Sequence, residues 1–199
     1  MNLTGLREEI GGIDIYLLDQ ILKKRYHQTE RILDAGCGAG RNLKWFYENT
    51  CTIYGVDSQE NSIAAVQENY PAQKTHFSVQ ELSQLNFEDN FFQHVICSAV
   101  LHFATDTAHF KDMFTELVRV LKPGGSLFIR MTSNFGIETL VKPVSEGVYI
   151  LPDATNRFLL TTDLLAYLLT NFPISYLEPL KTVNVNNVRC MSTLVYQKD

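Results

Sequence analysis

Apolar and polar segments alternate along the first two thirds of the chain in a pattern that predicts strands and helices in turn. Short apolar runs predict buried strands directly before residue 36 and at residues 52–57, 75–79, 93–99 and 126–132. Apolar residues at helical spacing predict helices at residues 14–25, 42–47, 61–70 and 110–121. This alternation favours a doubly wound α/β fold with a parallel sheet, in which ligands bind outside the carboxyl ends of the strands.

The C-terminal third does not continue this alternation. Residues 133–156 have mixed polarity and no sustained period, so we expect an irregular insertion or lid there. Residues 161–163 predict the N-terminal cap of a helix over the leucines that follow. Two alternating runs, 174–185 and 188–196, meet at Asn186-Asn187, and asparagine tolerates the left-handed φ of a tight hairpin turn. We therefore expect a single domain over residues 1–199, whose sheet ends in an antiparallel hairpin.

Three glycines follow the first strand at every second position, Gly36, Gly38 and Gly40. Glycine permits positive φ and close approach to the backbone, so a ligand can lie across this turn and accept hydrogen bonds from main-chain N–H groups. The N-terminus of the helix predicted at residues 42–47 would favour an anionic group of that ligand. The alternative is a tight surface turn, but three alternating glycines are costly unless something approaches them.

An acid, Asp57, ends the second strand, and a carboxylate at this place can receive both hydroxyls of an adenosine ribose. The alternative is a cap for the turn that starts at Ser58. A dinucleotide fingerprint would need its third glycine at the position of Arg41, which makes a nicotinamide-dependent oxidoreductase the weaker of two cofactor classes. An arginine at that position can instead contact a carboxylate.

Charge and cysteine content exclude several classes of function. The net charge is −5 and no basic cluster extends beyond residues 23–25, so we expect small partners and no nucleic acid. No apolar run approaches the ~18 residues of a membrane span, and the N-terminus lacks a signal-peptide pattern. The cysteines lie far apart without metal-type spacing, which predicts reduced thiols, no metal and a cytoplasmic protein without membrane contact. They are Cys37, Cys51, Cys97 and Cys190.

Five short motifs occur in order, at residues 33–40 (LDAGCGAG), 54–57 (YGVD), 80–82 (QEL), 98–103 (SAVLHF) and 119–125 (RVLKPGG). Together they resemble class I S-adenosylmethionine-dependent methyltransferases over residues 32–130. Arg41-Asn42 and the residues around Glu178 are also similar to the tellurite-resistance type of methyltransferase, on fewer positions. The resemblance implies a Rossmann-like, seven-stranded sheet of order 3-2-1-4-5-7-6, mostly parallel with an antiparallel last strand.

The resemblance also implies a function and a set of contacts. The expected reaction is in-line transfer of a methyl group from S-adenosylmethionine to a small-molecule acceptor, and the alternative is a non-catalytic regulatory module that binds the same cofactor. The glycine turn would hold the methionine portion, Asp57 the ribose, and Glu81-Leu82 the adenine, where the family commonly has Asp-Ala. The implied cofactor-binding residues are Asp34, Gly36, Cys37, Gly38, Gly40, Arg41, Asp57, Ser58, Glu81, Leu82 and Ala99.

Catalytic and substrate residues are less constrained, because alignment alone can supply roughly 7 to 11 kcal/mol of the barrier. His102 follows the fourth strand and is the candidate general base for an acceptor that must lose a proton, the alternative being a packing role. Arg130 ends the fifth strand in a buried run and needs a partner, either a protein acid or an anionic substrate. Tyr16, on the helix before the first strand, is a candidate substrate contact.

Overall fold

The computed structural model describes residues 3–199, apart from the side chains at positions 3, 4, 6 and 7. The helices are α1 (Leu3–Ile10), α2 (Ile15–Leu22), α3 (Lys44–Glu48), α4 (Glu60–Asn69), α5 (Thr107–Val120) and α6 (Thr162–Asn171), with 3-10 turns at Pro71–His76 and Leu101–Phe103. The strands are β1 (Arg31–Ala35), β2 (Thr52–Asp57), β3 (Phe77–Val79), β4 (Phe92–Ser98), β5 (Leu121–Ser133), β6 (Lys142–Ser145), β7 (Val148–Ile150), β8 (Asn156–Phe158), β9 (Ile174–Tyr176), β10 (Lys181–Val185) and β11 (Arg189–Lys198).

The central sheet has the predicted architecture. Its strands lie in the order β10-β11-β5-β4-β1-β2-β3, and β1 to β5 pair in parallel. The last strand, β11, runs antiparallel to β5, which confirms the order 3-2-1-4-5-7-6. The predicted strand at 174–185 is divided into β9 and β10, which both pair with β11. Pro179 lies in the interruption and has no N–H to donate to a ladder.

Helices cover both faces of this sheet because each presents an apolar stripe to it. On one face α5 buries Phe110, Phe114 and Leu117, which recur at the spacing of one helical side. On the other face α2 buries Leu17 and Ile21. Between residues 3 and 199, none of the helices has the length and apolar character that crossing a bilayer requires. The carboxyl ends of β1 to β5 are left for the loops that build the site.

The prediction that residues 133–156 are irregular is wrong. They contain β6 and β7, which pair with β8 in a separate three-stranded antiparallel sheet, called here the insertion sheet. Its strands are only three or four residues long, and every residue of β6 is exposed. A strand exposed on both faces shows no alternation of apolar and polar positions, so the sequence carries no period to detect.

The C-terminal hairpin forms as predicted. Asn186 and Asn187 have φ values of +52° and +56°, the left-handed conformation of a tight hairpin turn, and the Val188 N–H donates to the Val185 carbonyl at 3.0 Å. Val185 pairs with Arg189, so Val188 is a third residue of the loop. The helix cap at residues 161–163 is also confirmed, since the Thr161 Oγ1 accepts a hydrogen bond from the Leu164 N–H at 3.2 Å.

Candidate functional site

A cavity of about 510 Å³ opens at the carboxyl ends of β1 to β4. This volume lies in the range of pockets that enclose a small organic ligand. The predicted cofactor residues that line it are Gly36, Gly38, Asp57, Ser58, Glu81, Leu82 and Ala99. The lining residues without a predicted contact are Gln59, Gln80, Ser98, Val100, Phe103, His109 and Met113. Several of these belong to the motifs at 80–82 and 98–103, but Met113 belongs to the apolar stripe of α5 and gave no separate signal.

The three glycines of the turn have different neighbours. A Cβ added to Gly36 would lie 2.3 Å from the Val100 Cγ2, and one added to Gly40 would lie 2.5 Å from the Tyr70 ring. At Gly38 the added Cβ would meet no atom of the described residues within 4 Å. Gly36 and Gly40 are therefore required by the packing of the protein itself. Gly38 borders open space in the cavity, where a side chain would take room from a ligand.

The expectation that the turn donates its N–H groups to a ligand is wrong for four of its residues. The N–H groups of Gly36 and Cys37 donate to the Val56 carbonyl at 2.8 and 2.9 Å, and that of Gly40 donates to the Cys37 carbonyl. The Gly38 N–H donates to the Asp57 Oδ2 at 2.9 Å. The expected helix dipole is also small, because α3 has five residues and begins only at Lys44.

Asp57 caps the turn after β2, which was the alternative role for it, and also bonds to the glycine turn. Its Oδ1 accepts from the Gln59 N–H at 3.0 Å, which fixes the turn before α4, while its Oδ2 accepts from the glycine turn. Each carboxylate oxygen has a second lone pair, so these bonds leave capacity for the hydroxyls of a ligand in the cavity. The carboxylate therefore joins the ends of β1 and β2 and lines the cavity at their junction.

The segment after β3 carries Glu81 and Leu82 and is attached to α5 by an arginine. Arg119 donates to the carbonyls of Leu85 and Phe87 at 2.8 and 2.7 Å and pairs with Glu116. Leu82 is buried, whereas the Glu81 side chain is exposed at the cavity. The segment held by Arg119 thus provides the cavity with an apolar wall at Leu82 and an acidic edge at Glu81.

Ala99 reaches the cavity through an unusual backbone conformation. Its φ is +65°, a left-handed value that is rare for a residue with a Cβ. Its N–H donates to the Arg130 carbonyl at 2.7 Å, which holds the end of β4 against β5. Strained residues of this kind occur at ligand sites where the surrounding structure enforces them.

Four predicted cofactor residues, Asp34, Cys37, Gly40 and Arg41, do not line the cavity. Asp34 is buried below the turn, and neither carboxylate oxygen has a hydrogen-bond partner within residues 3–199. Burial raises the pKa of Asp34 to about 7, while the Arg41 charge opposes this rise. Burial also raises the pKa of the Cys37 thiol well above its usual range, so it is not a reactive thiolate. Gly40 and Arg41 line a second cavity behind the turn.

His102 also lies outside the main cavity. Its ring is buried, and the Thr132 N–H donates to its Nδ1 at 3.4 Å. Burial, together with the charges of Arg157 and Arg189, lowers the pKa of His102 to about 4. The ring is therefore neutral near pH 7, and its contacts are those of the packing alternative.

Arg130 has a protein acid as its partner. Its Nη1 donates to the Asp14 Oδ2 at 2.9 Å, and the Ser98 hydroxyl donates to the same oxygen at 3.1 Å. The Asp14 side chain has no exposed surface and also caps α2. The Arg130 guanidinium lies 5.2 Å from the centre of the Tyr16 ring. These contacts fix α2 beside the cavity residue Ser98.

Arg157 of the insertion sheet contacts a residue of the cavity wall. The Arg157 guanidinium, on β8, lies 4.9 Å from the ring centre of Phe103, which is 60% exposed and lines the cavity. Arg189 of β11 pairs with Asp153 and so attaches the loop between β7 and β8 to the central sheet. The four cysteines are buried free thiols.

Residues 33–129 match a family model described as a methyltransferase domain. The chain is 34% identical to an uncharacterized protein of Haemophilus influenzae, over 51% of this chain and 42% of that protein. It is 29% identical to a ubiquinone biosynthesis O-methyltransferase of a Bradyrhizobium species, over 71% of this chain and 57% of that protein. A solved SAM-dependent methyltransferase of Methanosarcina mazei has the same fold, with a TM-score of 0.68 and 22% identity over 89% of this chain and 96% of that chain. The chain thus spans about half the length of the two curated relatives.

Proposed function

The chain belongs to the class I S-adenosylmethionine-dependent methyltransferase family, and we propose that it transfers a methyl group from S-adenosylmethionine to a small-molecule acceptor. S-Adenosylmethionine is the methyl donor of this family. One observation carries the proposal: Gly38, which has open space beside it, and the carboxylate of Asp57 line the same 510 Å³ cavity. The Gly38 nitrogen and the Asp57 Oδ2 are 2.9 Å apart and hydrogen-bonded. Family membership also decides against the nicotinamide-dependent oxidoreductase.

The residues of the cavity fit this donor. Gly38 leaves room for a ligand chain against the backbone, Asp57 and Ser58 offer oxygen atoms to ribose hydroxyls, and Leu82 supplies an apolar wall for a base. Asp34, buried below the turn with two orphaned carboxylate oxygens and a pKa raised to about 7, can adopt the ionised form when a cationic ligand enters the cavity above it. When bound, S-adenosylmethionine would supply an activated methyl group, which an acceptor would take by in-line displacement of the thioether S-adenosylhomocysteine. The residues of this chain then have mainly to align the acceptor and exclude water.

On the acceptor side we propose a role for α2 and the insertion sheet. The Asp14 carboxylate holds Arg130 and Ser98, so Tyr16 is fixed near the cavity residue Ser98 at the end of β4. The contact between Arg157 and Phe103 supports the insertion sheet as a lid over the cavity mouth. No base is assigned: the buried, neutral His102 belongs to the scaffold in this proposal.

Turnover tests the proposed function. Purified protein is incubated with S-adenosylmethionine and one acceptor from each of four classes, namely thiols, amines, phenols and oxyanions, and S-adenosylhomocysteine is quantified by mass spectrometry. We expect product with at least one class, and loss of that product in the Asp57→Asn variant. A protein that binds the donor but yields no product above the acceptor-free control with any class would contradict the proposal.

A further inference from the structure

His109 lines the cavity and was not identified by any sequence motif. It lies in the first turn of α5, where its N–H donates to the capping Asp106 Oδ1 at 2.8 Å. Met113, one helical turn later on the same side of α5, also lines the cavity. The cap fixes where α5 begins, and the ring of His109 is thereby held at the cavity wall.

The hydrogen bonds of the His109 ring determine its tautomer. The backbone N–H of Thr105 donates to the Nδ1 at 3.3 Å, and the Thr105 Oγ1 lies 3.1 Å from the same nitrogen. A backbone N–H can only donate, so Nδ1 is the acceptor and carries no proton. In a neutral imidazole the proton is then on Nε2. No acceptor for this Nε2–H is found among the hydrogen bonds of residues 3–199.

A hydrogen-bond donor of fixed position on the wall of a partly apolar cavity favours a ligand that presents an acceptor atom to it. Leu82, Val100, Phe103 and Met113 give the same cavity its apolar surface. Pockets of this composition orient a ligand through a few polar groups. Adenine has acceptor nitrogens at N1, N3 and N7, and a neutral Nε2–H bonds to such a nitrogen without moving a charge.

We propose that the His109 Nε2–H donates a hydrogen bond to a ring nitrogen of the adenine of bound S-adenosylmethionine. This inference rests on the proposed function and deepens it, since it names the residue that distinguishes adenine from bases lacking that acceptor. His109 is a binding and specificity residue in this account and takes no part in methyl transfer.

The test is a cycle of protein and ligand changes measured by calorimetry. The wild type and the His109→Phe variant are titrated with S-adenosylhomocysteine and with its 1-deaza, 3-deaza and 7-deaza analogues. We expect the variant to bind S-adenosylhomocysteine roughly threefold to tenfold more weakly, as for loss of one neutral hydrogen bond. One of the three deaza analogues lacks the nitrogen that accepts this hydrogen bond, and it should bind the wild type more weakly than S-adenosylhomocysteine by the same factor. That analogue should bind the wild type and His109→Phe with equal affinity, because both changes remove the same hydrogen bond.

A matched control separates this contact from a change in the loop. Thr105→Val removes the hydroxyl but keeps the backbone N–H that sets the tautomer, so its affinity for S-adenosylhomocysteine should stay within twofold of wild type. The inference would be overturned, and the proposed function left standing, if all three analogues lost the same affinity in both proteins. An unchanged affinity of His109→Phe for S-adenosylhomocysteine would have the same consequence. Failure of the wild type to bind S-adenosylhomocysteine would overturn it together with the proposed function.

Discussion

The glycine turn and the insertion sheet both follow strands of the central sheet, yet different interactions hold them in place. In the turn, main-chain N–H groups bond to Val56, Cys37 and Asp57, so the backbone itself fixes the conformation. The insertion sheet is attached by side chains, Asp153 to Arg189 and the Thr132 hydroxyl to the Phe158 carbonyl at 3.2 Å, in addition to two main-chain bonds between Leu160, just after β8, and the end of β5. The turn therefore has three glycines of positive φ within five residues, whereas the insertion sheet has one, Gly147, where a Cβ would lie 2.2 Å from the Phe158 ring.

The largest expected effect separates two glycines of the same turn. Gly36→Ala combines a φ of +79° with a Cβ 2.3 Å from Val100, and should lower the free energy of unfolding by about 2 to 5 kcal/mol. Gly38→Ala has a φ of +53° and open space, so strain alone should cost about 1 kcal/mol. Its methyl group enters the cavity, and affinity for S-adenosylhomocysteine should fall at least tenfold. Urea unfolding and calorimetry measure the two quantities; equal destabilisation by both variants would contradict this account.

A buried acid on the turn side makes stability depend on pH. Burial raises the folded-state pKa of Asp34 from 3.8 to about 7, so the folded protein holds more protons than the unfolded chain between these values. Stability should therefore fall as pH rises from 4 to 8, and Asp34→Asn should remove about 2 to 4 kcal/mol of that fall. Denaturant titrations of the ligand-free proteins at several pH values measure it. Parallel pH profiles for the two proteins would show that Asp34 does not titrate in this range.

In the insertion sheet, removal of the Asp153 carboxylate should loosen the attachment to the central sheet without changing the affinity for the cofactor. Asp153 accepts from the Thr155 N–H at 3.0 Å and pairs with Arg189, contacts worth about 1 to 2 kcal/mol together. Asp153→Ala should speed proteolytic cleavage within residues 133–158 severalfold and leave affinity for S-adenosylhomocysteine within twofold. Glu146→Ala, an exposed carboxyl on the same insertion, is the matched control. Weaker binding of S-adenosylhomocysteine by Asp153→Ala, with unchanged proteolysis, would contradict this prediction.

The smallest effect on turnover is expected at His102. Burial lowers its pKa from 6.5 to about 4, so the contribution of His102 to stability should fall only as pH falls below about 6.5, opposite in sign to that of Asp34. His102→Gln should remove this acid-side loss and leave the dependence of turnover on pH unchanged between pH 6 and 9. A loss of an inflection in the pH–rate profile would instead identify His102 as the base.

The residues that could be predicted from the sequence are those whose role depends on the backbone. Gly36, Asp57 and the Asn186-Asn187 turn each require a specific φ or a fixed place at a strand end. The alternation of strands and helices predicted the parallel sheet, and its strand order came from the resemblance to the methyltransferase family. The exposed strands of the insertion sheet have no period, and His109 and Met113 reach the cavity only through the placement of α5. The use of Asp14 as the partner of Arg130 joins positions 116 residues apart, which no local pattern contains.

The central claim is that the junction of the glycine turn with Asp57 binds an adenosyl sulfonium donor. Calorimetric titration of wild type and Asp57→Asn with S-adenosylhomocysteine tests it most directly. The account predicts one equivalent bound by the wild type and an affinity lower by roughly tenfold or more in the variant, as for loss of a hydrogen bond to a charged group. Absence of binding to the wild type, or equal affinities for the two proteins, would contradict it.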